Sequence, residues 1–329
     1  MFARRILVTL CLLIPTLSHS QSFADYLYEN TFYNLGNSYL DRVGDLPTDN
    51  VDRLPADQKS ACLQRYGRML NDGVLDIRIA LGYFDWTVGH DVRAGGRNYG
   101  LSPSMDIGAF YAIRDLLTSG CSGNSRFCRF RQEQGNPYAF VKDVTIQGRP
   151  VRARIQMYFS SASEYLENNL GNLNYQQTAR TDFMESFWAR ALQDADAAFY
   201  FGHSRNGGGP DFGPPVFYKG RNKVNYGYYE SAQPGFKRML NSLNSGKQAD
   251  VIGLMSCASR DHFWGRLRSA APRSGVITST SVINVDEVYT AMLGGIDSLL
   301  RGQCQKTFYK SLRMTSRNAK YITMDGMFE

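Results

Sequence analysis

Two apolar runs, each closing on a reactive side chain, constrain this chain more than any other feature. Ala197-Ala198-Phe199-Tyr200-Phe201-Gly202 leads into His203, and Val251-Ile252-Gly253-Leu254-Met255-Ser256 leads into Cys257. Short continuous apolar runs bounded by turn residues read as strands buried on both faces, and helical patterns around them suggest a parallel sheet. The expected class is therefore α/β, an open and mainly parallel sheet flanked by helices. In such sheets ligands bind in the crevice outside the carboxyl ends of the strands. A His and a Cys just past two strand ends are thus placed for chemistry.

Helical patterns over 181–193, 235–244, 260–270 and 285–301 alternate with these runs and with a further strand at 275–279. That order predicts three or four parallel strands. Upstream, 140–146 and 151–159 read as a hairpin joined by Gln147-Gly148-Arg149-Pro150. Earlier still, helices are expected over 58–70 and 104–119, with a strand opening the stretch 74–87. The expected organisation is a leader at 1–20, a mixed α/β N-terminal portion at 21–139, and an α/β domain at 140–329.

The leader is read from Arg4 and Arg5, the apolar run from Ile6 to Leu17, and the small residues Ser18-His19-Ser20 before Gln21. This is the pattern of a secretory signal. It predicts an exported protein, periplasmic or extracellular, with no integral membrane segment after the signal is removed. The formal net charge of +7 is modest for 329 residues, and the bases are scattered among acids, so no nucleic-acid partner is expected. The tightest basic cluster, Arg126-Phe127-Cys128-Arg129-Phe130-Arg131, reads as a solvated loop or edge.

With Cys11 in the leader, Cys62, Cys121, Cys128, Cys257 and Cys304 remain. An odd number in an oxidising compartment leaves one thiol free or paired between molecules. Cys121 and Cys128 bracket a short polar loop and form the expected disulfide. A second between Cys62 and Cys304 would free Cys257, although pairings that bridge Cys257 stay open at this level.

Attack on an amide or ester needs a thiolate, a proton acceptor and donors for the developing oxyanion. Cys257 lies between its strand and a helix expected to start near Arg260, and helix N-termini favour thiolates. Beyond the leader the histidines are His90, His203 and His262. His203 is the candidate base. His262, on the helix after Cys257, is expected to face away from the thiol, and His90-Asp91 reads as a loop pair. Ser204 to Pro215 is dense in Gly and Pro and is expected to be a long loop without helix. In it, Arg205 and Asp211 are charges for a substrate or for anchoring the loop. The His and Cys positions lack metal-ligand spacing and no phosphate loop follows a strand, so no metal or cofactor is expected.

A His followed by a Cys, each after an apolar strand and separated by a span close to the about 50 residues of caspases, resembles the caspase/gingipain/legumain superfamily of cysteine peptidases. The resemblance covers residues 150–302. It implies a caspase-like sheet and a cysteine peptidase or related amide hydrolase acting on a peptide or protein. His203 would be the base, Cys257 the nucleophile, and the N–H groups of Cys257 and Ser204 the oxyanion donors. Thr280 and Ser281, after the next strand, would line the substrate pocket. The chain has Gly202 before the His and Ser204 after it, where family members have Gly after the His. Ser256-Cys257-Ala258-Ser259 departs from the caspase pattern, so no preference for Asp follows.

Two other readings stand beside this one. An inactive protein of the same fold could bind a peptide, glycan or cell-wall component at the strand ends. A serine hydrolase could use Ser204, since Gly202-His203-Ser204-Arg205 is similar to a Gly-x-Ser-x-Gly nucleophile elbow, with Asn206 in the final Gly position.

Overall fold

The apolar runs become inner strands of one eight-stranded sheet in the computed structural model, which describes residues 23–84, 93–94, 97–98, 105–221 and 223–329. The expected leader and the His90-Asp91 pair lie outside the described residues. The first half of the chain runs α1 (Phe23–Gly44), α2 (Ala56–Met69), β1 (Val74–Leu81), a ribbon of β2 (Arg93–Ala94) with β3 (Arg97–Asn98), α3 (Met105–Thr118), β4 (Arg131–Glu133), β5 (Asn136–Ile146) and β6 (Arg149–Phe159). The second half runs α4 (Leu166–Leu170), α5 (Asn174–Asp194), β7 (Ala197–Phe201), α6 (Tyr226–Ala232), α7 (Pro234–Leu243) and β8 (Val251–Met255). It continues through α8 (Ser259–Ala270), β9 (Gly275–Ser279), α9 (Val285–Leu300), α10 (Gln305–Ser311), α11 (Ser316–Tyr321) and β10 (Ile322–Asp325).

The strand order is β10-β9-β8-β7-β1-β6-β5-β4. From β9 through β8, β7 and β1 to β6 every pairing is parallel. The parallel block is wider than the sequence pattern predicts, because β1 inserts between β7 and β6. Residues on both sides of position 140 therefore feed the same sheet. Both edges are antiparallel, β10 against β9 and the β5 and β4 strands beyond β6. The β5–β6 hairpin turns at Gln147 (φ 49°) and Gly148 (φ 78°), the left-handed pair that matches strand twist.

Alternate residues of the inner strands enter opposite cores, as the period of two requires. Phe199, Phe201, Val251, Met255 and Ile277 pack with side chains of α1, α2, α3 and α9. Ala198, Tyr200, Ile252, Leu254 and Val276 pack with α5, α7 and α8, chiefly Met184, Phe187, Trp188, Phe236 and Phe263. Both faces are covered, which is why β7, β8 and β9 are buried along their whole length and read as unbroken apolar runs. Helix α1 comes closest at Gly36, where a Cβ would lie 2.5 Å from Leu116 Cδ1 and 2.9 Å from Leu293 Cδ1. Glycine there lets α1 sit down between α3 and α9.

Two disulfides are present, Cys62–Cys304 and Cys121–Cys128, with Cα separations of 5.5 and 5.1 Å. Such bonds persist in oxidising compartments. No helix among the described residues is long and apolar enough to cross a membrane. The Arg126–Arg131 cluster is structural. Phe127 and Phe130 are buried, and the backbone N–H groups of Arg126 and Phe127 donate to the buried Asp297 carboxylate at 2.6 and 3.0 Å.

Candidate active site

The register of β7 and β8 brings the His and Cys positions to one edge of the sheet. Phe201 pairs with Met255, and Gly202 N–H extends the ladder to Met255 O at 3.2 Å. His203 and Cys257 each lie two residues past this last pair, on neighbouring parallel strands. Both side chains are half-buried. Among the described residues Cys257 is the one cysteine outside a disulfide. Its thiol donates to the Ile283 carbonyl at 3.3 Å, in the segment between β9 and α9.

His203 is held by ring packing and by its backbone. Its imidazole stacks on Phe84, with centroids 4.5 Å apart and planes tilted 29°. Tyr200 Oη donates to His203 O at 2.9 Å and to Asp211 O at 3.3 Å, and accepts from Asp211 N–H at 3.1 Å. One hydroxyl thereby pins both ends of the Gly/Pro loop. Burial pushes the Tyr200 phenol well above its ordinary pKa, keeping the donor proton in place. The pin depends on glycine. A Cβ at Gly202 would lie 2.4 Å from Tyr200 Oη, and one at Gly82 2.6 Å from it. These residues carry the site, yet the sequence hides them, because Tyr200 sits inside an apolar run and its hydroxyl role appears only when the loop closes over it. The flanking glycines are the available signal.

The loop departs from the expected absence of helix. Arg205–Gly207 forms a single 3-10 turn, with positive φ at Arg205 (48°), Asn206 (49°) and Gly207 (87°). The turn wraps the Ser204 carbonyl, which accepts from Gly207 N–H at 3.0 Å and Gly209 N–H at 2.9 Å. Arg205 and Asp211 are both buried and form an ion pair, Nε to Oδ2 at 3.0 Å, with Tyr229 Oη donating to the same oxygen at 3.3 Å. Of the two roles the sequence leaves open for this pair, the geometry gives the anchoring one. Buried charges demand such a partner.

The Cys257 turn is braced by hydroxyls. Ala258 is left-handed (φ 46°, ψ 32°), a conformation that costs a non-glycine residue about 1–2 kcal/mol. Its N–H donates to Ser281 O at 2.7 Å. Ser259 Oγ donates to Leu254 O at 2.8 Å and accepts from Ser279 N–H at 2.9 Å, while Ser279 Oγ donates to Ser256 O at 2.6 Å. Ser281 thus lies beside the Cys257 turn. Thr280 is tied elsewhere, its N–H and hydroxyl both donating to Tyr321 O. Among the described residues neither the Cys257 nor the Ser204 backbone N–H donates to a backbone carbonyl.

Ser204 itself has an unstrained backbone (φ −76°, ψ −19°), is 5% exposed, and precedes a single turn instead of a helix. The strand-to-helix corner that a nucleophile elbow uses lies at Cys257, where β8 gives way to α8. His262 packs against the loop after His203: a Cβ at Gly207 would meet its Nδ1 at 3.4 Å. Burial lowers the His262 pKa, opposed by Asp261 and Glu230. No cluster of three or more His, Cys, Asp or Glu among the described residues could hold a metal ion.

No family model, curated protein or solved structure matches this chain. Its chemistry has to be read from the geometry of the site.

Proposed function

We propose that the protein is an exported, caspase-like cysteine peptidase or related amide hydrolase, with Cys257 as nucleophile and His203 as general base. One observation carries this reading: the free thiol and the imidazole stand at the same offset beyond the last residue pair of two adjacent parallel strands. His203 takes the thiol proton as sulfur bonds to the substrate carbonyl carbon, and the C=O electron pair moves onto oxygen. The oxyanion is met by the N–H groups of Cys257 and Ser204. Collapse restores C=O and breaks the C–N bond, with the His203 proton leaving on the amine. Water, deprotonated by His203, then cleaves the thioester and returns the thiol. Ser281, beside the Cys257 turn, lines the approach for a peptide or protein substrate. The two disulfides support an oxidising, extracytoplasmic location.

The test is labelling with a thiol-directed acylating probe, mapped by mass, on wild type, Cys257→Ala and His203→Ala. Wild type labels at Cys257, Cys257→Ala does not label, and His203→Ala labels about 10²–10⁴ times more slowly, the range expected for general-base assistance. Labelling of Cys257 at an undiminished rate without His203 would sink the dyad and leave a binding cleft in its place.

A further inference from the structure

The segment from Val216 to Tyr229 joins bases to aromatics on one short stretch of chain. It carries Lys219, Arg221 and Lys223, with Phe217, Tyr218, Tyr226, Tyr228 and Tyr229, and no acid. Phe217 and Val224 form an antiparallel bridge, closed by Tyr218 N–H to Lys223 O at 2.9 Å and Asn225 N–H to Val216 O at 2.7 Å. The result is a short ribbon whose turn projects the basic residues outward. Lys219, Arg221 and Lys223 are exposed, and among the described residues none of them makes an ion pair. On the same ribbon and the helix that follows it, Val216, Tyr218, Tyr226 and Tyr228 are 40%, 41%, 41% and 39% exposed. The base is rigid, since Val216 N–H donates to Tyr229 Oη at 3.0 Å and Tyr229 reaches Asp211.

We propose that this ribbon docks the protein on an anionic phospholipid surface. Three exposed cations with no ion pair among the described residues are free to meet a flat sheet of phosphates directly. Tyrosine suits that boundary, its ring settling among headgroups and its hydroxyl remaining wet. Lys and Arg next to anionic lipid each contribute about 1 kcal/mol. Three such cations correspond to roughly a hundredfold in partitioning, at about 1.4 kcal/mol per tenfold.

The test is co-sedimentation of the full chain with phosphatidylcholine vesicles, with and without phosphatidylglycerol. Two exposed triples are compared with wild type: Lys219→Ala/Arg221→Ala/Lys223→Ala and Tyr218→Ala/Tyr226→Ala/Tyr228→Ala. Thermal unfolding confirms that each is folded. Wild type should bind only the vesicles containing phosphatidylglycerol. The charge triple should lose about a hundredfold in binding, and the tyrosine triple about tenfold. Failure of wild type to bind, equal binding to both vesicles, or full binding by the charge triple overturns the proposal. Full binding by the tyrosine triple overturns the part of the proposal that seats the rings among the headgroups.

Discussion

The two ends of the parallel sheet are secured by different chemistry. At the amino ends the locks are made by ionisable side chains. Arg65, on α2, is buried and donates to Met327 O, Gly326 O, Arg273 O, Asp250 O and the Asp250 carboxylate, at 2.6 to 3.0 Å. Asp196, just before β7, accepts from Asp76 N–H at 2.8 Å. At the carboxyl ends the strand termini are held by neutral hydroxyls, namely Tyr200, Ser259, Ser279 and also Ser160, which donates to Leu81 O at 2.6 Å. Hydroxyl locks do not titrate near neutrality and add no net charge beside His203 and Cys257. Charge is present at this end too, as the buried Arg205–Asp211 pair and as Asp106, whose carboxylate accepts from Ser160 N–H and Ser161 N–H at 2.8 Å, but the strand-end carbonyls themselves are held by hydroxyls.

The largest effect that would test this contrast is Arg65→Ala. It strips four backbone carbonyls of their buried donor and leaves Asp250 paired only with Arg68, at 2.8 Å, and should cost about 3–5 kcal/mol in urea unfolding. The rate of probe labelling at Cys257 in the folded fraction should stay the same. A parallel loss of labelling would show that the two ends are coupled.

A smaller change, of opposite sign, is expected at Asp196. Burial raises its pKa to about 7, with Asp72 and Asp76 adding to the rise and Lys247 and the Asp76 N–H opposing it. The stability that the neutral carboxyl contributes is complete below the ordinary carboxylate range and is lost as pH rises through about 7. Asp196→Asn keeps an acceptor for Asp76 N–H and does not ionise. It should equal wild type in stability at about pH 4 and exceed it by roughly 1–3 kcal/mol at about pH 8, read from unfolding curves at both.

The smallest stability change belongs to the other end. Tyr200→Phe removes the hydroxyl that fixes His203 and Asp211 and should cost about 1–2 kcal/mol. Here labelling at Cys257 should slow about tenfold, because His203 loses its backbone restraint. An unchanged rate would mean that stacking on Phe84 alone positions His203.

How legible each end was in the sequence follows the same division. The strands β7, β8 and β9 are unbroken apolar runs, and the helices α7, α8 and α9 fall within a residue or two of where periodicity puts them. Residue counting leaves the free thiol at Cys257 and an anchoring role for Arg205 and Asp211 as open alternatives, and only the folded chain shows the two disulfides and the buried ion pair. Other features depend on partners far away in the chain. β6 reads as half of a hairpin, and nothing local reveals that its other edge takes β1. β10 is four residues long, mostly half-exposed, and is a strand only because β9 offers it an edge. The Tyr200 pin and the serine brace around Cys257 are polar contacts to backbone carbonyls, which carry no periodic signal.

One covalent feature has a consequence for how the molecule would survive damage. Cys62 and Cys304 join positions 242 residues apart, and the loop they close contains every parallel strand, the His203 loop, the basic ribbon and Cys257. A protease that nicks the exposed ribbon or the segment after β9 opens the ring without releasing either piece. The two fragments would stay tethered around the same sheet, separating on a gel only after reduction.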